Sequence, residues 1–289
     1  MESIMTNIVV GTDGTESSHV ALRWGLDRAA AEGATLTVAH VLDDEWATVG
    51  ARIVEELRED ARCLLDHEIN YVQSLTHSVE CIPQLLTGDP MSELISLSST
   101  ASVIVVGTHR TGYLHGRVIG SSSLRLAAAA DCAVAVIPES IKSNARGITV
   151  GVDTSPGGRA AVVFAAAEAS RLRENLTLVR GWSRPRTIND SAEVRAERDR
   201  LIELSVSRVL SDAAAVAADG HPDLEMRRRS IQRNPAEALL EASNSSRLLI
   251  VGSTRRAARG RMGLGSVTHD VLLNLAIPTL VVHGDDAQL

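Results

Sequence analysis

Short runs of aliphatic and β-branched residues alternate along the chain with longer stretches whose apolar positions recur every three or four residues. In the first half, the runs at 8–11, 35–41, 79–85, 102–107 and 133–137 predict β-strands. The stretches 17–32, roughly 44–75, 90–98 and 121–129 predict helices between them. The strand segments are apolar throughout rather than alternating with polar residues, which marks strands buried on both faces. Buried strands separated by helices imply a parallel sheet joined by right-handed crossovers. Pro90 and Pro235 suit a first helical turn, with Asp89 and Asn234 as N-caps before them.

The pattern then repeats. Asn7-Ile8-Val9-Val10-Gly11-Thr12-Asp13 returns 140 residues later as Gly147-Ile148-Thr149-Val150-Gly151-Val152-Asp153. Val105-Val106-Gly107-Thr108 returns at an offset of 145 as Ile250-Val251-Gly252-Ser253, and Gly120-Ser121 as Gly265-Ser266. The order is kept and the offset changes once, as a small insertion in one connection would produce. The prediction is therefore an α/β protein of two tandem, doubly wound, five-stranded parallel-sheet domains. The polar stretch around Glu139–Asn144 sets their limits at 1–142 and 143–289. Such sheets bind ligands beyond the carboxyl ends of their strands, where the strand order reverses.

Each half concentrates its chemistry at those ends. The first strand leads into Gly11-Thr12-Asp13-Gly14 in one half and Gly151-Val152-Asp153-Thr154 in the other. The fourth strand ends at Gly107 or Gly252 and leads through a polar loop to Gly120-Ser121 or Gly265-Ser266 at a helix start. Glycines let a backbone approach a ligand closely, and a helix N-terminus offers free N–H groups and a positive dipole end, a combination suited to phosphate. Ser121, Ser122 and Ser266 add hydroxyls, while Arg110, Arg117 and Arg255 add positive charge in the loops. For one copy alone these glycines are equally well explained as turn geometry. The recurrence of the spacing, with Asp13 and Asp153 at the facing strand end, favours a binding site.

At these residues the chain resembles the universal stress proteins of the nucleotide-binding type, which carry Gly, two residues, Gly, nine residues, then Gly-Ser or Gly-Thr. The spacing is kept in both halves as Gly107, Arg110, Gly120-Ser121 and Gly252, Arg255, Gly265-Ser266. The resemblance extends over nearly the whole chain, including the final strands ending at Ile137 and Val282. It implies a Rossmann-like fold of the adenine nucleotide alpha hydrolase type. It also implies ATP, with magnesium as counter-ion, bound in each domain. Asp13 or Asp153 would lie near the ribose and base. The strand-two ends His40-Val41 and Arg180-Gly181 would lie near adenine, and the glycine loop with Gly-Ser would hold the phosphates. It further implies a homodimer formed through terminal strands. The second motif glycine is Arg110 in one half and Arg255 in the other. Arginine tolerates φ > 0 poorly, so the loop must shift or the guanidinium must itself serve the phosphates.

Composition narrows the alternatives. The chain is 44% hydrophobic and 22% charged, the make-up of a globular protein. Three Trp, two Tyr and one Phe leave few stacking platforms, and a formal charge of -7 opposes binding to a phosphodiester backbone, so nucleic acid is not an expected partner. The three cysteines are scattered, without a C-x-x-C pair, and indicate neither disulfides nor a thiolate metal site. Neither a signal peptide nor a membrane-spanning run is recognisable, so a cytoplasmic protein is expected. Up to Lys142 the chain carries 9 basic and 19 acidic residues, against 20 and 17 beyond it, so the halves differ in charge. Lys142, the only lysine, follows no glycine-rich turn, and no P-loop or nucleophile elbow is present. The Arg227-Arg228-Arg229 triplet falls on or near the third strand of the second half. Three readings follow: an ATP-binding regulatory protein, a nucleotide-free scaffold, and, with no evident catalytic residue, at most a weak ATPase.

Overall fold

The structure is a computed structural model that describes residues 6–44, 50–76, 78–108, 121–184, 191–253 and 263–284. The chain divides into two compact units, Met1–Ile141 and Lys142–Leu289.

In the first unit β1 (Asn7–Gly11), β2 (Thr35–Leu42), β3 (Cys81–Thr87), β4 (Val103–Gly107) and β5 (Ala133–Ile137) form a sheet of order β3-β2-β1-β4-β5. The pairs β1–β2, β1–β4, β2–β3 and β4–β5 are all parallel. Helices α1 (Glu16–Glu32) and α2 (Ala51–Leu75) pack together, as do α3 (Pro90–Leu97) and α4 (Ser121–Ala129), so each pair covers one face of the sheet. Covered on both faces, Ile8, Val9, Val10, Ile104 and Val105 are fully buried.

The second unit repeats this plan. Its strands are β6 (Ile148–Gly151), β7 (Leu176–Gly181), β8 (Met226–Ile231), β9 (Leu248–Ser253) and β10 (Thr279–His283), in the order β8-β7-β6-β9-β10. Its helices are α5 (Pro156–Leu172), α6 (Ala192–Ala218), α7 (Pro235–Ser243) and α8 (Ser266–Leu273). The register is conserved at an offset of 140, with Ile8 opposite Leu36 and Ile148 opposite Leu176.

Local signals explain where the helices begin and end. Thr15 and Ser155 cap α1 and α5, their hydroxyls accepting from the N–H of Ser18 (3.4 Å) and Gly158 (3.0 Å). The Asp89 carboxylate accepts from the Ser92 N–H at 2.9 Å, and the Asn234 side chain from the Ala236 N–H at 3.0 Å. Helix α1 ends on Gly33 in the left-handed region (φ 63°). Helix α5 ends in the same conformation on Arg173 (φ 54°), the one non-glycine with positive φ among the described residues. Two predicted elements differ by more than one residue at a boundary. The run at 79–85 forms a strand two residues later, at Cys81–Thr87, because pairing with β2 rather than apolarity sets its limits. The described helix before β3 begins at Ala51 instead of near residue 44.

Candidate functional site

Each unit has a cleft at the carboxyl ends of its strands. In the first it measures about 380 Å³ and lies between the ends of β1, β2 and β4 and the first turns of α1, α3 and α4. Asp13 projects there from the turn after β1. Its Oδ1 accepts from the Thr15 N–H (3.1 Å) and hydroxyl (2.6 Å), so the residue that caps α1 also orients the carboxylate. Thr12 donates its hydroxyl to Ser18 Oγ at 3.1 Å, and its Oγ1 accepts from the Gly14 N–H at 3.2 Å.

The end of β2 contributes main-chain polarity. Along a strand, successive residues direct their N–H and C=O to opposite neighbours. Thr35 donates to Thr6 O and Ala39 O accepts from Thr12, whereas Leu36 donates to Glu80 O and Leu42 O accepts from Gly88. Odd-numbered residues of β2 thus face β1 and even-numbered ones face β3. Val41 follows Ala39 on the β1 side, and β1 has ended by then with Gly11 opposite Ala39. The Val41 N–H and C=O are consequently directed over the cleft, a donor and an acceptor side by side. Beside them, His40 Nδ1 lies 2.8 Å from Thr12 O, and since a carbonyl only accepts, that nitrogen carries the proton.

On the outer side, α3 closes the cleft with Pro90, Met91 and Leu94. A cation bridge holds α3 to α4: Arg125 Nη2 lies 2.6 Å from Asp89 Oδ1 and 3.0 Å from Ser92 Oγ. The Ser92 hydroxyl and N–H, joined by Arg125, hold the Asp89 carboxyl below the usual range.

The second cleft has the same parts and less room, about 140 Å³. Asp153 Oδ1 accepts from the Ser155 N–H (2.8 Å) and hydroxyl (2.6 Å), as Asp13 does from Thr15. Arg180 takes the place of His40 and donates to Val152 O at 3.0 Å. Gly181 takes the place of Val41, and α7 has moved onto it: a Cβ at Gly181 would lie 2.6 Å from Pro235 Cα and 2.8 Å from Ala238 Cβ. The lining hydroxyls thin out as well. Thr12, Ser17, Ser18, Ser122 and Ser123 line the first cleft; at the same stations stand Val152, Gly157, Gly158, Val267 and Thr268.

Gly107 and Gly252 owe their identity to packing. A Cβ at Gly107 would strike the backbone carbonyl of Ser17, and one at Gly252 that of Gly157, because the first turn of α1 or α5 rests on the strand end. Among the described residues no group of three or more His, Cys, Asp or Glu is arranged to hold a metal. Cys63, Cys81 and Cys132 are free thiols, and burial pushes the Cys81 thiol up from its ordinary pKa.

The universal stress protein family model matches residues 5–138 and again 144–283. The chain belongs to the universal stress protein family. It is 29% identical to the universal stress protein Rv2005c of Mycobacterium tuberculosis, covering 95% of this chain and 96% of that one. The universal stress protein Rv2623 of the same species is 26% identical, with 95% of each chain covered. A universal stress protein from Archaeoglobus fulgidus has the same fold, with a TM-score of 0.70 over 98% of this chain and all of that one, at 16% identity.

Within the first universal stress domain, Gly11, Asp13, Val41, Gly107 and Ser122 come together around the cleft, and Ser121 opens α4. In the second, Gly151, Asp153, Gly181 and Gly252 do so. Gly265 caps α8 and Ser266 is its first residue, but the cleft is reached by the next two, Val267 and Thr268. Arg110, Arg117, Gly120 and Arg255 lie outside the described residues. The α3 wall and the hydroxyls of Thr12, Ser17, Ser18 and Ser123 also line the first cleft, outside the glycine motif. The strand order alone signals the wall, since it brings the first turn of α3 beside the ends of β1 and β2. No helix of the described residues is long and apolar enough to cross a membrane.

Proposed function

We propose that the first universal stress domain binds an adenine nucleotide, ATP, and that the protein acts as a nucleotide-responsive regulator in stress response or growth control. The observation carrying this reading is the first cleft itself. Its 380 Å³ falls within the size range of small-molecule sites, and it sets Asp13 beside an adjacent main-chain donor and acceptor at Val41. Such a donor–acceptor pair matches the N1 and exocyclic amino group of adenine. Asp13 suits ribose hydroxyls, and Ser122 and Ser123 at the start of α4 suit phosphate oxygens. A bound nucleotide would bring its own magnesium, and ATP hydrolysis, if any, is slow. The protein is expected to be a cytoplasmic homodimer assembled through terminal strands.

The second domain supports the scaffold reading for its own half. At 140 Å³, with Pro235 over Gly181 and valine at two hydroxyl stations, its cleft lies below the usual size range of small-molecule sites. The proposal therefore predicts one nucleotide per chain. Isothermal titration with ATP tests it: wild type and Asp153→Asn should bind one equivalent, and Asp13→Asn should bind roughly tenfold or more weakly. Two equivalents would reject the asymmetry, and no binding would leave both domains as scaffolds.

A further inference from the structure

The outer strands of the two sheets, β3 and β8, occupy the same place in the duplicated fold and are finished differently. Hydrogen bonding identifies the residues that face outward on each. In β3, Glu80 O and the Gly88 N–H point to β2, so Cys81, Pro83, Leu85 and Thr87 direct their main-chain groups away from the sheet. In β8, Glu225 O and Ile231 O accept from Leu176 and Trp182 of the β7 segment, so Met226, Arg228 and Ser230 face outward. Pro83 pairs with Val38 and Arg228 with Leu178, which are equivalent at the offset of 140. One register position thus carries proline in the first domain and arginine in the second.

The consequences differ in kind. Proline removes an outward N–H and blocks strand addition whatever the arriving sequence. Arginine keeps its N–H and repels only strands that are themselves positive. Charge on β8 is concentrated: residues 227–230 are all exposed, and Arg227 and Arg229 share one face while Arg228 lies on the other, where it donates to Ser211 Oγ of α6 at 2.9 Å. Arg233 is neutralised by Glu241 at 2.9 Å, whereas neither Arg227 nor Arg229 forms an ion pair with a described residue.

We propose that β8 is a docking edge for an extended acidic segment of a partner protein, which adds to the sheet as a further strand beside Met226–Ile231. Its main chain would pair with the outward groups of Met226, Arg228 and Ser230. Acidic side chains at alternate positions would lie against Arg227 and Arg229, the cross-strand arrangement that favours opposite charges.

The test uses the full chain and a fluorescent peptide of alternating Glu and Val, with an alternating Lys and Val peptide as control. The Glu peptide should bind and the Lys peptide should not. Arg227→Glu/Arg229→Glu should abolish binding. Arg228→Pro should weaken it roughly tenfold by removing one outward hydrogen bond, and it should fold, because β3 carries proline at that position. In the complex the N–H groups of Arg228 and Ser230 should gain protection from hydrogen exchange, while those of Arg227 and Arg229, already bonded toward β7, should not. Binding that survives Arg228→Pro unchanged, or is matched by polyuridylate or polyphosphate, would reduce the strand to a patch for any polyanion and overturn the proposal. So would no binding of the Glu peptide.

Discussion

The clefts at Asp13 and Asp153 share a carboxylate held by the residue that caps the following helix, a strand-two residue tied to the carbonyl after strand one, and a glycine under the first turn of a helix. Their volumes, about 380 and 140 Å³, differ because of what surrounds these shared parts. Helix α7 lies on Gly181, where the first domain has Val41 between its strand end and α3, and hydroxyls give way to glycine and valine. Most of what a motif records is thus the architecture of the strand ends, which both domains need in order to fold. Capacity for a ligand is set by side chains that the motif does not include.

The shared glycines should give the largest effects. Gly107→Ala and Gly252→Ala each place a Cβ against helix backbone, which should cost about 1–3 kcal/mol of stability in urea denaturation. If either is silent, the packing account of that glycine fails. Gly181→Val comes next. With Pro235 Cα at 2.6 Å, it should lose about 1–2 kcal/mol, whereas Val41→Gly should not force α3 to move. The helix ends give a smaller effect of opposite sign. Arg173→Gly, in the conformation that Gly33 adopts in the first domain, should raise the unfolding free energy by about 1 kcal/mol, and Gly33→Ala should lower it by a similar amount.

The smallest effect is electrostatic. The Asp89 carboxyl is depressed in the folded state, so its contribution to stability is present above the ordinary carboxylate pKa and fades as pH falls through the depressed value. An NMR titration of Asp89 should have its midpoint below 3.8. Ser92→Ala should raise it more than Arg125→Ala, since the hydroxyl is the larger influence. The second domain, with Asn234 at that cap, should show no corresponding transition.

Much of the fold was legible in the sequence because doubly buried strands and capped helices leave local signatures. The duplicated Val-Gly-x-Asp segment, Asp89 and Asn234 as N-caps, and Ser121 and Ser266 as helix starts can be read without coordinates. The limits of β3 could not. This half-exposed outer strand carries Pro83 and Gln84 within it, so only its register with β2 defines it. Gly107 and Gly252 were legible as unusual positions but not in their cause, the contact with Ser17 or Gly157 across a long sequence separation. Nor could the closing of the second cleft be read, because Gly181 and Pro235 meet only after α7 has packed.

The arginines of β8 have one more consequence. The repulsion that guards this edge acts between exposed charges, so dissolved ions weaken it. The screening length shrinks from about 10 Å in 0.1 M salt to about 3 Å in 1 M, shorter than the spacing between paired strands. Concentrated salt should therefore bare β8 to other copies of itself while leaving the proline-guarded β3 as it was. Solubility would then fall with ionic strength, and Arg228→Pro would restore it.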